Sequence, residues 1–359
     1  MTVYWFVWVG IVLIATLISK AETEPDTQLT IKRRYHSGTE KWLFIVATLI
    51  LIFVAGCRNE VGADFGSYFH YYTKYLNFWE ALISFKEPGI HFVYSIAAMI
   101  RDTGRFCLFS VAAVTIGLQM FTLYRNTNNI ALALVLYTFT CWTACFNGVR
   151  QALAAAVLFC GFSVLRDKKF FKFFVIVILA FLCHRSAIIM VLMYFIAHRK
   201  ISIKNVIILI TASVIVLLSY DYVFHFVGLI LDEDILATES TYWTNAVNPL
   251  RVLSRVAPAV FFLCVCRNKE KTPELSFYLN LLIIGAVVSI VTMNSTAMGR
   301  MGLYMAPFMV ISIVELIKVV ESRYTRLLTI AIVLLYGIME WYEIQGSPTL
   351  NNFQLQWLW

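Results

Sequence analysis

The chain has 359 residues, of which 60% are hydrophobic and only 14% charged, with a formal net charge of +8. Soluble globular domains average about 45–50% apolar and about 25% charged residues, so this composition excludes that class. Apolar runs of membrane-spanning length recur from end to end, and a polytopic, all-helical membrane protein is the class that remains.

The first apolar run, Tyr4 to Ile18, lacks a basic start and a small-x-small cleavage site, and so reads as a retained helix. Crossings are expected at 3–19, 42–57, 106–124, 130–147, 149–165, 171–184, 186–198, 206–220, 251–266, 275–293, 301–320 and 327–342, about twelve in all. The connections 20–41, 125–129, 166–170, 199–205, 267–274 and 321–326 are short and basic or polar. Placing them in the cytoplasm satisfies the positive-inside rule at each one and leaves both termini outside. One segment resists this scheme. Ile90 to Ile100 is apolar but too short to span, and counting it as a crossing would put 125–129 and 166–170 on opposite faces. Residues 87–105 are therefore expected to form a re-entrant or interfacial helix on the outer side. The acidic stretch 221–250 makes a second outer elaboration beside 58–105, within one membrane domain covering 1–359. The eight cysteines lie in or beside apolar runs without a C-x-x-C pair, and read as small core residues.

On this topology the isolated charges gather at the outer face. Arg58-Asn59-Glu60 and Asp64 follow the second crossing, with Gly62 and Gly66 allowing a close turn and Tyr68 just beyond. Glu87-Pro88-Gly89 has the form of a helix start, where a carboxylate also meets the positive dipole end. Arg150-Gln151 opens a helix rich in alanine after Asn147-Gly148, and a lone arginine between apolar runs is costly unless it pairs or faces water. His184-Arg185 interrupts an apolar stretch too long for one crossing and short for two. Read as two short helices meeting there, it puts the pair in an outer recess. Arg300 closes a short outer loop, with Tyr304 one turn further on the same helical face.

In the order Arg58…Gly62-x-Asp64…Tyr68, Glu87-Pro88-Gly89, Asn147-Gly148-Val149-Arg150-Gln151-x-x-Ala154, His184-x-Ser186-Ala187 and Arg300-x-x-x-Tyr304, the chain resembles the EpsG family. These are bacterial membrane proteins of exopolysaccharide, capsule and O-antigen clusters, taken as Wzy-type polymerases. The resemblance implies a glycosyltransferase C-like membrane fold in the inner membrane, with the site facing the periplasm or exterior. It also implies glycosyl transfer between polyprenyl-diphosphate-linked glycans. Membrane lipids, a chain-length regulator and a flippase are then the candidate partners; no nucleic acid, cofactor or metal is expected.

The residues suit that chemistry on their own terms. A diphosphate leaving group is a multiply charged anion, which arginines hold through forked, charge-assisted hydrogen bonds. Arg58, Arg150, Arg185 and Arg300, with Gln151, Tyr68 and Tyr304, are the expected substrate-binding set. An acceptor hydroxyl needs a base, for which Asp64, Glu87 and His184 are the candidates, and burial of a carboxylate there is expected to raise its pKa; Glu87 comes first because Pro88-Gly89 fixes it at the mouth of a short helix. Two other classes compete. A lipid-linked glycan transporter would carry charges on both sides of the midplane and, usually, a repeated half. A membrane acyltransferase would need its histidine accessible to a cytoplasmic acyl donor.

Overall fold

A computed structural model describes residues 1–21, 37–71, 77–201 and 246–356, with the isolated positions 208, 209, 211 and 215. The expected crossing 206–220 lies almost wholly outside the described residues, as does most of the 221–250 loop. The chain is helical nearly throughout. Thr2–Ala21 (α1) and Gly38–Gly56 (α2) pack against each other, and after the two-residue strand Arg58–Asn59 (β1) come the short helices Phe65–Tyr71 (α3) and Phe78–Ile83 (α4). Pro88–Ile100 (α5) and Gly104–Asn126 (α6) follow, then Ile130–Tyr137 (α7), Val149–Cys160 (α8), Phe162–Arg166 (α9), Phe170–Cys183 (α10) and Val191–Ala197 (α11). The last part holds Pro249–Val265 (α12), Pro273–Val291 (α13), Thr296–Gly299 (α14), Gly302–Ile317 (α15), Ser322–Gly346 (α16), Pro348–Asn351 (α17) and the strand Gln354–Leu355 (β2).

Among the described residues six helical stretches are long and apolar enough to cross a membrane: α1, α2, α6, α13, α14–α15 together, and α16. Several further apolar runs expected as single crossings are broken. The run 130–147 is α-helical only to Tyr137, then widens into a π-turn over Thr138–Trp142 and tightens into a 3-10 turn over Thr143–Phe146. The run 149–165 breaks at Gly161. The stretch through His184-Arg185 is indeed two short pieces, since α10 ends at Cys183 and a 3-10 turn over Arg185–Met190 leads into α11.

Alanines 152, 154, 155 and 156 are buried on α8, and this small-residue face lets the helix pack closely against α6, α10 and α15. Helices α13 and α15 are buried on nearly every side, whereas α16 keeps an exposed apolar face, as a peripheral membrane helix must.

Two faces can be told apart by their contacts. On one, the Met1 ammonium donates to the Asn351 carbonyl at 3.0 Å and β1 pairs antiparallel with β2, so residues 1, 58 and 355 share a side. On the other face Thr127 donates to Glu315, Lys318 pairs with Glu315 at 2.9 Å, and Tyr194 donates to the Lys168 carbonyl. The basic connections 125–129 and 166–170 therefore converge opposite the termini. Helix α5, at 13 residues, spans about 20 Å and is too short to cross. Arg105, just past its end, donates to Asn59 and Gln356, so the chain leaves α5 on the same face as β1 and β2.

Candidate active site

Glu87 is the centre of the first charge cluster. Pro88 occupies the first turn of α5, and Glu87 precedes it in the left-handed region, at φ 50° and ψ 61°. For a residue with a side chain that conformation costs about 1–3 kcal/mol, and it persists only where surrounding contacts hold it. The carboxylate does not cap α5, contrary to the helix-start reading. It turns instead toward two other elements: Oε2 accepts from Arg150 Nη1 at 2.6 Å, and Oε1 lies 2.6 Å from His184 Nδ1 and accepts the Arg185 N–H at 3.2 Å. Arg185 Nη2 returns to the Phe85 carbonyl at 3.1 Å, closing the loop. His184 can reach this position because α10 stops at Cys183 and His184 itself is extended.

Arg150 stands in the first turn of α8, directly after Gly148, whose φ of 61° suits glycine. Its Nε donates to the Tyr68 hydroxyl at 3.3 Å, and its side chain remains 38% exposed. Gly148 also joins the second cluster. Its N–H donates to Asp64 Oδ2 at 2.8 Å, while Arg300 grips the same carboxylate through Nη1 at 2.9 Å and Nη2 at 3.1 Å. The loop before Asp64 is locked onto α8's entry by the Ala63 N–H, which donates to Asn147 Oδ1 at 2.7 Å. Gly62 is required there: it sits at φ 99°, and a Cβ would lie 2.6 Å from the Phe146 carbonyl oxygen. Between the clusters, Tyr304 shares a 2.8 Å hydrogen bond with Ser186 and a further one with Gln151.

The structure thus brings together Asp64, Tyr68, Glu87, Arg150, Gln151, His184, Arg185, Arg300 and Tyr304. Arg58 does not join them. It is 2% exposed, donates to the Ala55 and Val61 carbonyls at 2.5 and 3.3 Å, and packs over the Phe146 ring. The last turn of α2 leaves carbonyls that need a donor, and a guanidinium supplies it; this arginine caps a helix end and does not face the pocket.

The electrostatics of Glu87 run opposite to expectation. Burial alone pushes its carboxyl up. The His184 hydrogen bond and charge, the Arg150 guanidinium and the Arg185 N–H outweigh it and hold the group at about 2. Glu87 is therefore an ionised carboxylate saturated by donors, suited to orienting Arg150 and His184 and a weak proton acceptor. Sequence reasoning passed over Glu340 and Glu343, which line a cavity together with Arg300. Their signal was available: two acidic residues three apart within an apolar crossing.

Beside the first cluster runs an apolar groove of about 500 Å³, lined by Pro88, Gly89, Phe92, Ile96, Leu179 and Cys183 among others. It begins at the residue next to Glu87. Among the described residues no three of His, Cys, Asp and Glu converge as metal ligands.

The chain belongs to the EpsG family, whose model matches residues 41–357 and thus every cluster above. No curated protein and no solved structure matches it. Membership points to a membrane protein of polysaccharide-polymerase type.

Proposed function

We propose that the protein is a glycosyltransferase that joins polyprenyl-diphosphate-linked oligosaccharide repeats at the outer face of the bacterial cytoplasmic membrane. The observation that carries this reading is the pairing of cations with an apolar groove. Arg150, His184 and Arg185 surround Glu87 at one end of that groove, and Arg300 stands across Gly148 from them. A lipid diphosphate needs such a pairing, with forked donors for the anion and a dry channel for its tail.

In the reaction the bond between the donor's anomeric carbon and the diphosphate weakens, and negative charge grows on the leaving oxygen. Arg150 and Arg300, already oriented by Glu87 and Asp64, stabilise that charge without having to reorganise. Asp64 and Glu87 act as positioning carboxylates, and His184 and Tyr68 complete the anion-facing wall. The topology that goes with this function has about twelve crossings in a glycosyltransferase C-like arrangement, the basic connections in the cytoplasm and α5 held on the outer side. Residues 1, 58 and 355 lying on one side, with the basic connections gathered away from them, support it. A transporter would carry charge on both sides of the midplane, whereas these clusters gather at one. Incubating the purified protein with a lipid-diphosphate-linked repeat tests the proposal, and a ladder of longer glycans is the expected product.

A further inference from the structure

Past the Asp64–Arg300 pair lies a cavity of about 290 Å³ between residues 136–147 and helices α12, α15 and α16. Its wall carries Thr140, Thr143, Arg255, Arg300, Glu340 and Glu343. The segment supplying Thr140 and Thr143 is the irregular one, a π-turn running into a 3-10 turn. Widened turns of this kind are frequent at functional sites, because they re-aim side chains that a regular helix would direct elsewhere.

The carboxylates around this space are not equivalent. Asp64 is taken by Arg300 and the Gly148 N–H, and Glu87 by Arg150, His184 and the Arg185 N–H. Glu343 is held by Arg251 and by Asn248 at 3.0 Å. Glu340 differs from all three. Its Oε1 accepts from the neutral Thr143 hydroxyl, and among the described residues its second oxygen has no hydrogen-bond partner. Arg255 is also placed for a ligand. Its guanidinium lies over Gly302, where a Cβ would come within 1.7 Å of Nη1, and among the described residues no carboxylate is hydrogen-bonded to it. One open carboxylate, three arginines (Arg251, Arg255 and Arg300) and two threonine hydroxyls around a small space are groups that bind polyhydroxylated ligands. At the small end of ligand pockets, which run to about 300–1,000 Å³, the cavity suits a sugar unit and not a lipid chain.

We propose that this cavity is the subsite for the acceptor sugar and that Glu340 is the catalytic base, an inference that rests on the polymerase reading above. The acceptor hydroxyl oxygen forms the new bond to the donor's anomeric carbon. The bond from that carbon to the diphosphate oxygen breaks, and its electron pair leaves with the diphosphate. The hydroxyl proton passes to the Glu340 carboxylate and from there to water.

Two variants test it in the full-length protein. Glu340→Gln keeps the shape of the wall and removes the base. Its kcat for chain elongation should fall by about 10²-fold or more with KM little changed, and the acidic limb of the pH–rate profile should vanish, which loss of a merely structural carboxylate would not produce. Leu303→Trp fills the cavity, which Leu303 lines. It should abolish binding of the free repeat-unit oligosaccharide while inorganic pyrophosphate still binds as in wild type. Wild-type turnover in Glu340→Gln would overturn the base, and wild-type oligosaccharide affinity in Leu303→Trp would overturn the subsite. If the wild type makes no polymer yet oligosaccharide binding is lost in Leu303→Trp, the polymerase reading fails and the subsite stands.

Discussion

Replacing Glu87 with glutamine removes one charge and leaves the size and planarity of the side chain intact. In the wild type that carboxyl is held at about 2 against an ordinary 4.5. With about 1.36 kcal/mol per pKa unit, the gap corresponds to about 3 kcal/mol. Glu87 is only 9% exposed, so solvent screening on its side is slight, and the figure agrees with the roughly 3–5 kcal/mol lost when a buried ion pair loses one member. Arg150 is 38% exposed, which makes about 3 kcal/mol an upper bound. The direction with pH follows from the depression of the folded-state value. The stabilisation is fully present above about pH 4.5 and is lost as pH falls toward 2. Unfolding in detergent micelles, followed by tryptophan fluorescence from pH 7 downward, should show the glutamine variant less stable by up to about 3 kcal/mol at neutral pH. The gap should close progressively below pH 4.5 because the contribution of the Glu87 charge is lost there and exists only in the wild type. A gap that stays constant down to pH 3, or no gap at pH 7, would refute the assignment of Glu87 as the anchor of this cluster.

Arg150→Ala and Arg300→Ala should each cut polymer formation by about 10²–10³-fold with the protein still folded in the membrane, and lysine at either position should restore only part, because it lacks the planar fork; product gels read both. Asp64→Asn should raise KM for the lipid-linked donor more than it lowers kcat, since it frees Arg300 and the Gly148 N–H from their shared anchor; steady-state kinetics separate the two. Gly62→Ala should destabilise by about 2–4 kcal/mol in a micelle unfolding assay, combining a φ of 99° with a Cβ 2.6 Å from a carbonyl oxygen that cannot move aside. A topology reporter fused after Arg105 should report the outer side, and a cytoplasmic signal there would overturn the path drawn for α5.

The site was legible in the sequence where the membrane makes charge expensive. Arg150, His184 and Arg300 stand out because an isolated charge between apolar runs must have a partner or a polar cavity. Which partner it has was not legible: Asp64 and Arg300 are 236 positions apart, and only the packing of α8 against α15 brings Gly148 between them. Arg58 misled because a charged residue after a crossing serves equally well as a helix cap, and the choice depends on whether carbonyls such as that of Ala55 face it. The π-turn at Thr138–Trp142 leaves no trace in the hydropathy of its run, so the cavity it borders could not be foreseen, although Glu340 itself stands out as a carboxylate within an apolar run. Helices lie where the apolar runs placed them when they run unbroken, as at Pro273–Val291. Their lengths were overestimated where turns at residues 138–146 and 161 divide the run, whereas the break at His184 was expected. Hydropathy registers the apolar character of such segments and not the breaks inside them.

The most direct test is turnover by the purified, full-length protein in lipid vesicles supplied with a single polyprenyl-diphosphate-linked oligosaccharide repeat and no nucleotide sugar. The wild type should make a ladder of products spaced by one repeat, and Arg150→Ala and Arg300→Ala should not. A substrate recovered unchanged from the wild type, or a ladder that both arginine variants make as well, would contradict the polymerase reading.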